Sequence, residues 1–401
     1  MDFKFNSVSA TPNNPNWNNL ISRQDDLYKK ENDVRSEFER DYDRIIYCNA
    51  YRRLKHKTQV FFLPKNDHIC TRIEHVNNVD ATSYTIAKSL GLNTNLTRAI
   101  SIAHDIGHSP FGHKGEQILN KICLENNLDS FWHERNGLNF VDNIELLTNI
   151  NGEEKNLNLT YAVRDGIISH CGEIDEFSLK PRTEFINLEN DYLKSNQYSP
   201  YTWEGCVVKI SDKISYLGRD IEDAISMGIL DSNLTELYNL LEVPKSANLN
   251  NTNIIGDFIA DLCNNSSIED GLKFSANTYE RIKRLKEFNY KYIYKHSCMK
   301  PSEKYFSLIL NEIFNTLSNC YDGMKTLYKL NSQKSFYPKV IDTFIKWISC
   351  YWNISSYRNN LKNKILYDMN NINDYKKAII TYISGMTDSY AIETYNDIVK
   401  Y

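Results

Sequence analysis

The segment from Ala103 to Glu116, which reads AHDIGHSPFGHKGE, constrains this chain more than any other part of its sequence. It brings three imidazoles and two carboxylates within about three helical turns, and two glycines and a proline interrupt regular helix among them. A structural role rarely needs so many such groups so close together, whereas a divalent metal ion and a phosphate ester do. The groups concerned are His104, Asp105, His108, His113 and Glu116.

The composition is that of a globular protein. Of the 401 residues 41% are hydrophobic and 24% are charged, and the net charge of -4 gives no global basic field for nucleic acid. The nine cysteines are scattered, odd in number and without a CxxC pair, which argues against a disulfide framework and a cysteine-zinc site. Reduced thiols, no signal peptide and no apolar run of membrane-spanning length together predict a cytoplasmic protein without a membrane partner.

Apolar residues recur at helical spacing along most of the chain, and few stretches alternate as strands do. We therefore expect an all-α fold. Between Asp26 and Leu54 the candidate core positions are Val34, Phe38, Tyr42, Ile45, Ile46 and Tyr51. The predicted helices include Ile73–Leu90 ended by Gly91, Asn95–Ile106 capped by Thr94, one beginning at His113, Phe140–Leu147, Thr160–Ser169, Trp203–Leu230, Tyr279–Tyr294, Tyr305–Leu330, Val340–Trp352 and Tyr375–Ile383.

Three regions follow from these patterns. Residues 1–25 are rich in Asn and Pro and predict a flexible N-terminal arm. Residues 26–231 hold the histidine-rich chemistry and form the expected core. Residues 232–401 form a further helical region, expected to pack on the core, in which no catalytic motif stands out. Its mixture of Tyr and basic residues at 279–295 is typical of an amphipathic helix, although bases could also stack there.

Four side chains are candidate metal ligands. His75 lies on the helix that starts near Arg72, His104 and Asp105 end another helix, and Asp212 lies on the helix after Trp203. Two His and two Asp suit Mn²⁺, Fe²⁺ or Mg²⁺ better than a closed zinc site. Taken singly, each has an ordinary structural explanation, a hydrogen-bonded histidine or a surface carboxylate.

The sequence resembles the HD-domain superfamily, and more narrowly the deoxynucleoside triphosphate triphosphohydrolases, the dGTPase-like branch that also includes the mammalian SAM- and HD-domain dNTPase. The resemblance covers about residues 35–230, the region we therefore expect to be an HD phosphohydrolase core. It rests on the motifs DYDRIIYCNAYRRLKHKTQV (41–60), RIEH (72–75), AHDIGHSPFGHKGE (103–116), HERNGLNF (133–140) and EGCVVKISDKISYLGRDIEDA (204–224).

The resemblance implies a role for each matching residue. His75, His104, Asp105 and Asp212 match the metal ligands of the family. His113 matches the histidine that protonates the departing 5′ oxygen, and Glu116, one turn on, matches the acidic residue that orients it. His108 matches a histidine that faces the same pocket, where it would contact phosphate, and His133 matches a histidine near the active site in part of the family. For Glu116 the alternative is a solvated helix residue.

The resemblance also implies substrate contacts. Asp212, Tyr216 and Asp220 are spaced four residues apart and so share one helix face. Tyr216 matches the ring that packs under the deoxyribose, Asp220 and Gln59 match groups that bind the 3′-OH, and Val60 adjoins Gln59. Arg72 and Lys213 match phosphate contacts. Arg53 belongs to a basic run, 52–57, for which a solvated face is the alternative, above all at Lys55 and Lys57.

The function that follows is metal-dependent hydrolysis of deoxynucleoside triphosphates, dGTP-like, to a deoxynucleoside and inorganic triphosphate. Two alternatives stay open: another HD-type nucleotide phosphohydrolase, such as a nucleotidase or phosphodiesterase, and a non-catalytic nucleotide-sensing HD protein. By analogy with the family we expect a homo-oligomer, a dimer, tetramer or hexamer, with a nucleotide or single-stranded DNA as a possible effector.

Overall fold

The structure is a computed structural model and describes residues 3–26, 32–62, 68–171, 177–353, 358 and 360–400. These residues are mostly helical, which confirms the all-α prediction. The α-helices in chain order are α1 (Trp17–Leu20), α2 (Glu37–Tyr47), α3 (Asn49–Arg53), α4 (Arg72–Leu90), α5 (Thr94–Ala103), α6 (Gly112–Glu125), α7 (His133–Asn139), α8 (Tyr161–Ser169), α9 (Trp203–Ser226), α10 (Leu234–Leu241), α11 (Asn251–Asn265), α12 (Ala276–Asn289), α13 (Lys300–Ser318), α14 (Thr326–Gln333), α15 (Pro338–Ile348), α16 (Ile372–Ser384) and α17 (Asp388–Val399).

Short elements complete the fold. Two antiparallel pairs of strands lie on the described residues: β1 (Leu146–Thr148) with β2 (Glu154–Asn156), and β3 (Ser178–Leu179) with β4 (Leu272–Lys273). Wider π-type turns continue α7 over Phe140–Ile144 and α12 over Tyr290–Tyr294. No described helix combines the length and apolar character needed to cross a membrane.

The chain forms two compact units, each built from three stretches. Unit 1 contains Met1–Ile46, Leu63–Asp105 and Leu159–Lys300, and unit 2 contains Tyr47–Phe62, Ile106–Asn158 and Pro301–Tyr401. The limits that we predicted at residues 25 and 231 divide the chain in another way and stay a prediction.

Unit 1 is organised around α4, α5 and α9, which pack on one another. The apolar stripe of α9 is buried as its spacing predicts, and each such side chain contributes about 1.5–3 kcal/mol when it leaves water. The segment predicted as a loose arm lies in this unit with Phe5 buried and its ring 4.9 Å from the ring of Trp203. The spacing predicts Ile210, Ile214, Leu217 and Ile221 as this stripe, and the last three are buried, whereas Ile210 is half-buried.

Capping fixes the two helices that precede the histidine-rich segment. Thr71 and Glu74 form a capping box at the start of α4, and Gly91 (φ +83°) ends it in the left-handed conformation. For α5 the sequence prediction was wrong at both ends. Asn93, rather than Thr94, is the cap, because its side chain accepts from two backbone N–H groups, and the helix stops at Ala103.

Unit 2 holds α6 and α7 together with the helices of the last hundred residues. Helices α15, α16 and α17 bury large side chains such as Ile341, Phe344 and Ile379. The turn before α6 packs tightly on α7, since a Cβ at Gly107 would lie 2.1 Å from the carbonyl oxygen of His133. This turn therefore requires glycine at residue 107.

Three further predictions of local structure were wrong. Val34 is 97% exposed, whereas Phe38 and Ile45 of the same predicted stripe are buried. The predicted helix 140–147 is a π-type turn followed by β1, and the helix predicted over 305–330 divides into α13 and α14 around Gly323 (φ +52°). The predicted helical stretch 26–54 partly lies outside the described residues, at 27–31.

Candidate active site

The four predicted metal ligands converge within unit 1. His75 lies in the first turns of α4, His104 and Asp105 follow the end of α5, and Asp212 lies in the middle of α9. The Nε2 atom of His75 is 3.0 Å from Oδ1 of Asp212, and that of His104 is 3.7 Å from the same oxygen. The carboxylate of Asp105 approaches both rings, at 3.7 Å from His75 and 3.5 Å from His104.

The tautomer of His104 suits a metal ion. Its Nδ1 lies 2.6 Å from the carbonyl oxygen of Ser101, so this nitrogen carries the proton and donates it. The other nitrogen, Nε2, therefore presents a lone pair. It is buried and has no hydrogen-bond partner among the described residues. A buried lone pair that faces two carboxylates is the arrangement that a divalent cation completes.

The charges of this site favour a positive ion. Burial alone would raise the pKa of Asp212, but the hydrogen bond from His75 and the charges of both histidines hold it below its ordinary value. Burial alone would lower the pKa of His75, but Asp212 and Asp105 raise it. Cations are thus stabilised at this place despite its burial.

Arg72 supports the site from the start of α4. Its guanidinium is 1% exposed, and Nη1 lies 2.6 Å from Oδ2 of Asp105. The resemblance assigned Arg72 to phosphate, whereas here it is paired with a predicted metal ligand. A charge-assisted bond of this kind fixes the direction of the carboxylate.

His170 belongs to the same surroundings and was missed in the sequence. It follows α8 as His104 follows α5, and its Nδ1 donates to the carbonyl of Ile167 at 2.7 Å, three residues earlier. Its Nε2 lies 3.9 Å from Oδ1 of Asp105, and its ring is 5.0 Å from that of His104. The sequence offered only a histidine at the end of a predicted helix, and such a position alone does not indicate a metal site.

The other predicted residues of α9 follow Asp212 along the helix. Lys213 is buried, Tyr216 is half-buried, and Asp220 is buried two turns after Asp212. Burial raises the pKa of Asp220 to about 7, although a hydrogen bond from Tyr294 opposes the shift. The hydroxyl of Tyr294 donates to Oδ2 at 2.5 Å. Sequence reasoning missed Tyr294, because nothing distinguishes it from the other 26 tyrosines.

A second cluster lies within unit 2 and consists of His108, His113, Glu116 and His133. One ligand atom of each lies within 4.8 Å of the others. Glu116 is central: Oε2 is 3.2 Å from Nδ1 of His113 and 3.1 Å from Nδ1 of His133. Burial would raise the pKa of Glu116, but these two imidazoles hold it well below its ordinary value. The side chain of His113 is 56% exposed.

The remaining predicted residues, from the segment 53–60, also belong to unit 2. Nη2 of Arg53 is 2.7 Å from Oε1 of Glu145, so Arg53 is ion-paired. The amide oxygen of Gln59 is buried without a hydrogen-bond partner in the described part of the chain, and Val60 is half-buried. The solvated-face interpretation was wrong for Lys57, which is 2% exposed, while Lys55 is exposed.

Comparisons with known proteins agree with this geometry. The family model described as HD domain matches residues 72–217, which include all four predicted ligands. Three relatives bear the name deoxyguanosinetriphosphate triphosphohydrolase-like protein. The chain is 31% identical to that of Caldanaerobacter subterraneus (91% of this chain, 86% of the relative), 33% to that of Clostridium tetani (93% and 88%) and 34% to that of Pelagibacter ubique (91% and 94%). This chain therefore belongs to the HD-domain family of deoxyguanosinetriphosphate triphosphohydrolase-like proteins.

Proposed function

We propose that this protein hydrolyses deoxynucleoside triphosphates to a deoxynucleoside and inorganic triphosphate. The observation that carries the proposal is the convergence of His75, His104, Asp105 and Asp212, with the lone pair of His104 buried among carboxylates. The family and this cluster support the coarser statement, a metal-dependent nucleotide phosphohydrolase. The motifs at residues 52–60 and 212–220 resemble those of deoxynucleoside triphosphate triphosphohydrolases, and this resemblance supports deoxynucleoside triphosphates as the substrates.

The four side chains would hold one divalent ion, and Mn²⁺, Mg²⁺ and Fe²⁺ all suit two imidazoles and two carboxylates. When bound, such an ion polarises phosphoryl oxygens and lowers the pKa of water. Arg72 keeps Asp105 directed at the same place. The protein thereby prepares a preorganised, largely buried electrostatic environment for a polyphosphate.

The residues of the second cluster would supply the proton that the departing 5′ oxygen needs. The oxygen of water bonds to the α-phosphorus while the bond from that phosphorus to the 5′ oxygen breaks, and the proton that the water releases restores the donor for the next cycle by way of solvent. His113 would donate its proton to the departing 5′ oxygen, and Glu116, 3.2 Å from Nδ1, would orient the imidazole. His133 shares the same carboxylate, and His108 lies 3.9 Å from the ring of His133, measured between ring centres. Both would keep the proton donor in place beside the phosphates.

The selection of a deoxyribose would depend on α9 and on the segment 59–60. Gln59 and Asp220 would bind the 3′-OH, Tyr216 would pack under the sugar, and Val60 would line the same contact. Lys213 would contact the phosphates, and Arg53 and Arg72 would do so in addition to their carboxylate partners. A site built to bind a hydroxyl strongly rejects analogues that lack it.

We also propose a cytoplasmic homo-oligomer, as dimers, tetramers or hexamers, with a nucleotide or single-stranded DNA as effector. These proposals rest on the family analogy. Size-exclusion chromatography with and without dNTP tests the assembly.

The test of the activity is a panel of the four dNTPs and four rNTPs with Mn²⁺ or Mg²⁺, with products separated by chromatography. We expect deoxynucleoside and intact triphosphate from dNTPs, and no product after chelation. Orthophosphate or pyrophosphate would indicate another HD phosphohydrolase. Nucleotide binding without any turnover would indicate a sensor.

A further inference from the structure

Asp388, the first residue of α17, holds two separate segments of unit 2 with one buried carboxylate. Its Oδ2 accepts from the backbone N–H of Thr58 at 2.9 Å and from the hydroxyl of the same residue. Its Oδ1 accepts from the backbone N–H of Phe111 at 2.9 Å. Asp388 is 2% exposed, so both carboxylate oxygens are used inside the protein.

Lys57, the residue before Thr58, binds the first residue of the turn that runs from His108 to Phe111. Nζ of Lys57 donates to the carbonyl oxygen of His108 and, at 3.1 Å, to that of Ser384. Lys57 is 2% exposed. The turn from His108 to Phe111 is therefore held at its first carbonyl by a buried ammonium and at its last N–H by a buried carboxylate. Charged groups in the interior strengthen such bonds.

The backbone of this turn needs that support. Phe111 has φ +66°, a left-handed conformation that is unfavourable for a residue with a side chain, and Gly112 follows with φ +56°. The ring of Phe111 stacks on Phe306, with centroids 4.3 Å apart, and meets Phe62 edge-on. The conformation matters because Phe111 is the N-cap residue of α6, whose first turns carry His113 and Glu116.

We propose that Asp388, together with Lys57, is a positioning residue that couples the nucleotide-binding segment 58–60 to the proton donor on α6. The inference rests on the proposed function for the roles of Gln59 and His113. It assigns a catalytic consequence to the C-terminal region, in which the sequence shows no motif. One carboxylate, that of Asp388, orients both segment 58–60 and the start of α6. Loss of this carboxylate should therefore affect nucleotide binding and turnover together.

Asp41 offers a matched control. It is also buried, and it accepts from the backbone N–H of Thr160 at 2.8 Å and from the hydroxyl at 2.6 Å. Its other oxygen pairs with Arg23. The two aspartates thus make the same contacts to a threonine, but Asp41 belongs to unit 1, whereas segment 58–60 and α6 belong to unit 2. A purely structural role predicts the same result for both.

The experiment compares Asp388→Asn with Asp41→Asn in the full chain, loaded with Mn²⁺ and assayed with dNTPs. The amide keeps the volume but replaces one acceptor by a donor. Misplacement of a catalytic group by about 1 Å costs on the order of 100-fold, so we expect Asp388→Asn to lower kcat by about 10- to 100-fold and to raise KM severalfold. Asp41→Asn should change both by less than about twofold, although it lowers the melting temperature. Asp388→Glu, which keeps the carboxylate, should recover part of kcat.

The outcomes separate this inference from the function on which it rests. If the wild type releases no triphosphate, the proposed function fails. If the wild type is active and Asp388→Asn has the kcat and KM of Asp41→Asn, the coupling is wrong. Circular dichroism and metal content establish that each variant is folded and loaded. Should Asp388→Asn not fold, Thr58→Val, which removes one hydroxyl contact, must still raise KM and lower kcat, and unchanged values overturn the inference.

Discussion

Two histidine clusters draw on the same segment of the chain, 103–116, and differ in what surrounds their ring nitrogens. In the first cluster, His75, His104, Asp105 and Asp212, both rings are almost wholly buried, and the Nδ1 proton of His104 is fixed on a backbone carbonyl. In the second cluster a carboxylate, Glu116, accepts directly from ring nitrogens, and one of the rings, His113, is 56% exposed.

This difference shows how the same residue types are prepared for different cations. In the first cluster His104 directs its Nδ1 proton to a backbone carbonyl, so its Nε2 lone pair faces inward, where a metal ion would satisfy it. His75 differs, because its Nε2 lies 3.0 Å from Oδ1 of Asp212, a hydrogen bond that a metal ion would replace. In the second cluster Glu116 accepts from two ring nitrogens, and one of these rings is exposed, an arrangement that suits a proton donor. We therefore propose the ion for the first cluster and proton transfer for the second.

The largest expected effect is that of Asp105→Ala. Loss of an outer partner already weakens metal binding by about 10- to 100-fold, so loss of a ligand should exceed about 100-fold and abolish hydrolysis. Metal content after dialysis, measured by mass spectrometry, checks this expectation. Unchanged metal content would contradict the assignment of Asp105.

The matched control is Glu116→Gln in the second cluster, which should keep the full metal content. Two ions per wild-type chain, falling to one in Glu116→Gln, would show that the second cluster also binds metal. The distinction between an ion site and a proton site would then be lost.

The next largest effect is that of His113→Ala. A general acid contributes about 10²- to 10⁴-fold to the rate, so kcat should fall by that range while metal content and nucleotide binding persist. Steady-state rates together with calorimetric titration of a dNTP separate the two readouts. Full activity in this variant would remove His113 from the mechanism and leave the second cluster without its proposed role.

A smaller effect concerns the sugar. A ring that merely excludes a hydroxyl discriminates by about 100-fold at most, so Tyr216→Ala should reduce the preference for dNTP over rNTP by about 10- to 100-fold. The ratio of the two kcat/KM values measures it, and Tyr328→Ala, at an exposed tyrosine, is the control. Continued rejection of ribonucleotides would place the gate elsewhere, with Tyr294 as the next side chain to change.

Much of the fold could be predicted because local rules decided it. The stripe of α9 and the Gly91 stop of α4 follow from spacing and backbone freedom, and both were correct. Ligand atoms of His75, His104 and Asp212 lie within 4.8 Å of one another, and Asp105 lies 3.5–3.7 Å from the two rings, so the motifs predicted residues that are close in space, while their role as ligands stays a prediction. Where a polar side chain competes for the backbone, as Asn93 does at α5, the helix ends were misjudged.

What could not be predicted depends on contacts between distant parts of the sequence. Asp388 meets Thr58 across 330 residues and Phe111 across 277, and no motif marks it. Tyr294 meets Asp220 across 74 residues. The burial of Lys57 reverses the solvated-face interpretation because its partners are backbone carbonyls, which have no sequence signature. Positions of this kind become visible only when the chain is folded.

The smallest predicted effect is on the free energy of unfolding and concerns the buried carboxylate of Asp220. It is measured on protein freed of metal by chelation. The pKa of Asp220 rises from 3.8 to about 7 on folding, because burial disfavours the carboxylate. Between these values the folded state binds more protons than the unfolded state, so this residue lowers the stability of the wild type as the pH rises toward 7.

Asp220→Asn removes that dependence. The free energy of unfolding of the wild type relative to Asp220→Asn should therefore decline from about pH 4 to about pH 7, by at most about 1.4 kcal/mol per pH unit, and should level off above. Urea denaturation at several pH values measures it, with Asp231→Asn as an exposed control. A difference that stays constant with pH would mean that the pKa of Asp220 is the same in the folded and unfolded states, so that burial does not disfavour its carboxylate.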